Sequence, residues 1–139
     1  MTTIWEYNDG GRADAGFKGQ TGDCVARAIA IATGKPYREV YNDLADGMQK
    51  LTGKKSARDG VSKKVYEKVL ETYGWKWTPT MAIGSGTKVH LRPDELPAGV
   101  VITRLSRHIA TVVDGVVQDT HDPSRGGTRA VYGYWVKNA

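Results

Sequence analysis

The sequence predicts an α+β fold, with helices gathered in its first half and an antiparallel sheet in its second. Three observations carry this. Apolar residues recur at helical spacing between residues 21 and 74, the pattern switches to strand-like alternation at Trp75, and an Asp114-Gly115 dipeptide sits between two valine runs.

Residues 1–20 read as an irregular approach, since Asn8-Asp9-Gly10-Gly11, Gly16 and Gly19 favour turns. A first helix is expected from Asp23. Thr21 or Asp23 can cap it, alanines and isoleucines fill it from Ala26 to Ala32, and Gly34 and Pro36 end it. Arg27 is the main interruption in an otherwise apolar surface, so this helix should be buried, its small alanines lying close against a sheet. Pro36 suits the first position of a second helix, whose Tyr37, Val40, Tyr41, Leu44 and Met48 form one face. A lysine-rich loop from Lys50 to Arg58 follows, and Asp59 or Ser62 can start a third helix that Gly74 stops.

The second half, residues 75–139, is β-rich. Trp75 to Thr78 alternates, and further strand signals lie at Val100–Thr103, His108–Val113, Val116–Thr120 and Ala130–Val136. Pro93 to Leu96 reads as one helical turn. A chain of 139 residues fits a single domain over 1–139, with its helical part at 21–74.

Bulk properties narrow the function. A single cysteine rules out an intramolecular disulfide, so nothing asks for an oxidising compartment. The start lacks a basic, then apolar, secretory pattern, and no apolar run is long enough to span a bilayer; a cytoplasmic protein without membrane contact is expected. The net charge of +5 raises a nucleic-acid partner, but the bases are spread along the chain and alternate with acids, so that reading is the less favoured. No phosphate-binding glycine loop is present, and one cysteine with three histidines lacks finger or zincin spacing; no metal and no cofactor are expected.

Two places carry chemistry. Cys24 stands at the start of the buried helix, where unpaired backbone N–H groups and the positive dipole end favour thiolate over thiol and can hold a developing oxyanion. In the hairpin, a two-residue Asp114-Gly115 turn sets Val113 against Val116, Ala110 against Asp119 and His108 against His121. Those last four then share one sheet face, and Asp119 becomes the diagonal neighbour of His108. A carboxylate there fixes the imidazole tautomer and stabilises an imidazolium facing a thiolate. Asp122, beside Pro123, falls on the opposite face if the strand stays regular.

The segment Gln20 to Cys24 running into a buried helix, then His108 on one strand and Asp119 on the next, resembles the papain-like cysteine peptidase superfamily. The likeness is to its small bacterial and phage-encoded members, including the bacteriocin-processing type. The order Gln, Cys, His, Asp matches, and the resemblance spans roughly Gly16 to Trp135. It implies a papain-like domain in which Cys24 is the nucleophile and His108 the general base, then the acid to the leaving group. Asp119 orients His108, and Gln20 donates to the oxyanion beside the Cys24 backbone N–H. It also makes Asp122 an alternative third residue, because related bacterial peptidases place theirs in an Asp-Pro pair. Strand alternation suits most of the tryptophans to core packing, and Trp135 can instead roof the His108–Asp119 pair, as aromatics do in this superfamily.

The resulting expectation is a thiol hydrolase, a cysteine peptidase or amidase, that acts on a peptide or protein substrate through an acyl-enzyme. Acyl transfer to an amine, as in transglutaminase-like members, uses the same residues. The contrasting reading is a non-catalytic binding protein on the same fold, holding a host protein or nucleic acid.

Overall fold

In the computed structural model, the residues described are 4–16, 23–56, 61–80 and 89–137. They form an α+β structure of three helices and one six-stranded sheet. The elements in chain order are β1 (Ile4–Tyr7), α1 (Cys24–Thr33), α2 (Tyr37–Thr52), α3 (Lys63–Thr72), β2 (Trp75–Pro79), β3 (Val100–Leu105), β4 (His108–Val113), β5 (Val116–Asp119) and β6 (Gly133–Lys137). The sheet order is β1-β5-β4-β3-β6-β2. None of these helices is long and apolar enough to cross a membrane.

The helices follow their sequence signals closely. Gly34 ends α1 in the left-handed conformation, its N–H bonded to the Ala30 carbonyl. Pro36 occupies the N-cap of α2 rather than its first helical position, and Ser62 is the N-cap of α3; Asp59, the other start considered, lies outside the described residues. The second helix runs on through Thr52 and absorbs the beginning of the lysine-rich stretch that reads as loop. Residues 93–96 make a turn rather than a helical one, and the last strand begins at Gly133, with Ala130 reduced to an isolated bridge to His90.

The Asp114-Gly115 turn is a two-residue hairpin whose residues have φ of 48° and 83°, the pair of positive angles that matches the right-handed twist of the flanking strands. The register follows from it, Val113 against Val116 and Thr111 against Gln118.

One expectation is corrected. The sheet is mixed, not wholly antiparallel, because residues of the N-terminal segment read as irregular form β1, which pairs parallel to β5 from Ile4–Val116 to Tyr7–Asp119. Four residues at a sheet edge, with Tyr7 largely and Trp5 partly exposed, carry too little apolar periodicity to signal a strand. The bonding partner is also more than a hundred residues away.

Two clusters fill the interior. One joins the helices to the sheet, with Ile29, Val40, Leu44, Leu70, Ile102 and Trp135 buried together. The other, on Val101, Ala110, Val112 and Val117, is closed by Leu91 and Val131 from the connecting segments rather than by helices. The alanine surface of α1 lets it lie low over β4, close enough for the buried Thr111 hydroxyl to donate to the Ala28 carbonyl at 2.6 Å.

The N-terminal turn packs equally closely on α1. A Cβ at Gly10 would lie 2.9 Å from the Arg27 carbonyl oxygen, at a φ of +69°. Gly10→Ala therefore combines left-handed strain with a backbone clash and is expected to destabilise the fold by roughly 1–3 kcal/mol. Urea unfolding followed by circular dichroism checks this; a midpoint equal to that of the wild type would refute the close packing.

Candidate functional site

Three elements converge at one end of the sheet: the N-terminus of α1, the start of β4 and the end of β5. Cys24 is the first residue of α1, and its half-buried sulfur meets the His108 imidazole, which hydrogen-bonds to it. The Ile109 backbone N–H also donates to the sulfur. On its far side, His108 Nε2 lies 2.6 Å from Asp119 Oδ2. With Nε2 so engaged, Nδ1 is the ring nitrogen left for Cys24.

Asp119 is buried and held from several directions. Its Oδ1 accepts the Thr120 N–H at 2.7 Å, and Arg27 Nη2 stands 3.7 Å from the same oxygen. Its main-chain carbonyl accepts the Trp5 indole N–H at 3.1 Å and the Asn8 N–H at 2.9 Å, so β1 braces the residue from the sheet edge. His121 completes the group, its ring centroid 5.2 Å from that of His108 and its Nδ1 4.0 Å from Asp119 Oδ1. The diagonal relation between His108 and Asp119 predicted from the hairpin is thus present.

The electrostatics favour charge separation. Burial alone would raise the Cys24 thiol, but the His108 hydrogen bond and charge, the Ile109 N–H and the Arg27 charge together bring it below its ordinary value. Burial opposes the imidazolium, yet hydrogen bonds to Asp119 and Cys24 and their negative charges push His108 up to about 9. Asp119 is likewise opposed by burial and nevertheless lowered, chiefly by His108. A thiolate–imidazolium–carboxylate line is the arrangement these shifts favour.

Not every expected residue joins it. Asp122 is exposed, and its Oδ1 accepts the Ser124 N–H at 3.0 Å, closing a turn beyond the strand. Trp135 does not roof the pair. Its register against Ile102 places it in the core on the helix side, edge-on to Tyr66 with ring centroids 5.8 Å apart and 4.5 Å from Trp77. It is Tyr66 that lines the cleft over Cys24. Gln20 lies outside the described residues.

Two charged residues behind the site carry more than the sequence suggested. Asp23 stands at the N-cap position that the sequence predicts, but its side chain makes no capping bond. Instead its carboxylate, 1% exposed, accepts from Arg27 and from the Tyr37 hydroxyl and lies 2.7 Å from Arg12 Nε. Arg27, read as a break in an apolar helix, bridges Asp23 and Asp119. The four-residue spacing from Asp23 to Arg27 was the available signal for the first of these pairs.

Ligand atoms of His108, Asp119 and His121 lie within 4.8 Å of one another. Two ligands of one tetrahedral zinc ion stand about 3.3 Å apart. The 2.6 Å contact between His108 and Asp119 is a hydrogen bond that a metal would have to break. No protein-family model, curated protein or solved structure matches the chain.

The raised His108 value has a definite sign. Folded protein keeps this proton up to about pH 9, whereas an unfolded chain releases it near its ordinary value of 6.5. Stability from the proton is therefore complete below pH 6.5 and lost as pH rises through about 9. The His108 Cε1–H resonance is expected to titrate near pH 9, and Asp119→Asn should lower that midpoint. A midpoint near 6.5 in the wild type, unmoved by the substitution, would mean that the ring is not held by this carboxylate.

Proposed function

We propose that the protein is a thiol hydrolase, a cysteine peptidase or amidase of papain-like architecture, in which Cys24, His108 and Asp119 act as a triad. The observation that carries this reading is the continuous contact from the Cys24 sulfur through the His108 ring to the buried Asp119 carboxylate. These groups come from a helix terminus and two strands far apart in sequence. A merely structural cysteine has no need of an imidazole with its own buried carboxylate behind it.

The chemistry follows from the protonation states. Cys24 thiolate attacks an acyl carbon to form a tetrahedral adduct, whose oxyanion faces the N-terminal backbone of α1. His108, as imidazolium, gives its proton to the leaving amine as the carbon–nitrogen bond breaks, leaving a thioester on Cys24. Neutral His108 then takes a proton from water, whose oxygen attacks the thioester carbonyl. The second adduct collapses to a carboxylic acid and regenerates the thiolate–imidazolium pair. Asp119 is the third residue in preference to Asp122 because it touches the ring, whereas Asp122 closes a turn. Arg27 is a positioning residue acting through Asp119.

Iodoacetamide at pH 6 tests the nucleophile directly. An ordinary thiol is almost wholly protonated there, while a Cys24 whose thiolate is favoured by the imidazolium has a larger ionised fraction, and that gain outweighs a lower intrinsic reactivity. Cys24 is expected to alkylate about tenfold or more faster than N-acetylcysteine, with His108→Ala removing most of that advantage, as followed by intact mass. A rate no greater than that of the free thiol, and indifferent to His108→Ala, would overturn the reading.

A further inference from the structure

The cleft in front of Cys24 has a volume of about 650 Å³, and apart from Cys24 itself its charged lining is all of one sign: Arg27, Lys63, Arg104 and Arg107, with His108 and His121 beside them and no aspartate or glutamate among the described lining residues. Most of the charge at the site is already balanced. Cys24 thiolate and Asp119 offset His108 and Arg27, and Asp23 is matched by Arg12. Lys63 lies 3.5 Å from Glu67.

Arg104 and Arg107 are different. Among the described residues, neither forms an ion pair with a carboxylate. Arg104 shares the face of β3 that carries Ile102 toward the helices, and its charge is felt at Tyr66 across the cleft. Arg107 stands exposed in the β3–β4 turn, one residue before His108, in the left-handed conformation at φ 56°. Two guanidinium groups therefore line the cleft that holds Cys24, with no carboxylate partner among the described residues. Their forked geometry suits carboxylates.

Resting on the thiol reading above, we propose that this cleft selects an anionic acyl donor, namely an acidic peptide segment with aspartate or glutamate side chains flanking the bond attacked. Arg104 and Arg107 are the residues that recognise it. A polyphosphate backbone has the right charge but no acyl carbon for a thiolate to attack, so the nucleophile favours the peptide. This also gives the +5 net charge a local meaning: the surplus that matters is the part concentrated at the mouth of the site.

The test compares two alkylating agents of nearly equal size, anionic iodoacetate and neutral iodoacetamide, on Cys24 at pH 6. The ratio of their rates, divided by the same ratio for N-acetylcysteine, is expected to be about tenfold or more at low salt. The His108 imidazolium alone would also favour the anion, so the deciding result is a fall in the ratio with Arg104→Gln and with Arg107→Gln. The Arg107 variant, in an exposed turn, guards against misfolding of the other. Raising NaCl to about 0.5 M should lower the wild-type ratio without any substitution.

A Glu-rich hexapeptide should slow alkylation by iodoacetamide at concentrations where its Gln-rich counterpart does not. A ratio equal to that of the free thiol, a ratio unmoved by both substitutions, or equal protection by the two peptides would overturn the inference. So would protection by a single-stranded oligonucleotide at lower concentration than the Glu-rich peptide, which would point to a nucleic-acid ligand. Inertness to both reagents would sink the nucleophile reading itself, and this inference with it.

Discussion

The fold turns on a carboxylate placed where water cannot reach it. Asp23 is buried at the junction of the N-terminal turn, α1 and α2, and it is tolerable there only because Arg12, Arg27 and Tyr37 surround it, one from each of those segments. An unpaired charge in such a position costs several kcal/mol, and removing one partner of a buried pair typically costs about 3–5 kcal/mol. The three segments are thus committed to one mutual arrangement. Burial and the neighbouring carboxylate also push the Tyr37 hydroxyl well above its usual range, so it remains a donor throughout the physiological span.

From Asp23 the charges alternate in sign toward the surface, Arg27, then Asp119, then His108, and the alternation favours a negative charge on Cys24. Each member is stabilised by its neighbours, so the positions of distant segments are coupled to the ionisation of the sulfur. The main chain supports the same line. Parallel pairing of β1 with β5 delivers the Trp5 indole and the Asn8 N–H to the Asp119 carbonyl, and the close approach at Gly10 seats the turn that carries Arg12. An edge strand and a loop that look peripheral in sequence hold the residue that orients the imidazole.

Legibility in the sequence divides along the same physical line. Features set by local chemistry were readable: the α1 stop at Gly34, the two-residue hairpin at Asp114-Gly115, and through that hairpin the diagonal placement of His108 and Asp119. The hairpin matters most, because one turn type fixes every cross-strand neighbour that follows. Features set by non-local pairing were not. β1 has no periodicity strong enough to announce a partner so far along the chain. Arg27 presents itself in sequence as a blemish on an apolar helix, and only the folded structure turns it into the link between two buried carboxylates. Trp135 alternates as a strand residue should, but parity alone did not say which face was which, and its pairing with Ile102 sends it to the helix-side core.

The depth of Cys24 is the last constraint, and it cuts in two directions. Complete burial would favour the neutral thiol, since no set of donors easily repays the desolvation of a charge; full exposure would leave an ordinary thiol screened from its imidazole by water. The half-buried sulfur sits between these limits. Burial is the largest single influence on it and acts against ionisation, yet one imidazole, one backbone N–H and one guanidinium outweigh it together. That balance requires His108 to arrive already charged, which requires Asp119, which in turn lies beside Arg27 and the buried carboxylate of Asp23. The ionisation of a single half-buried atom is in this sense a property of the interior behind it.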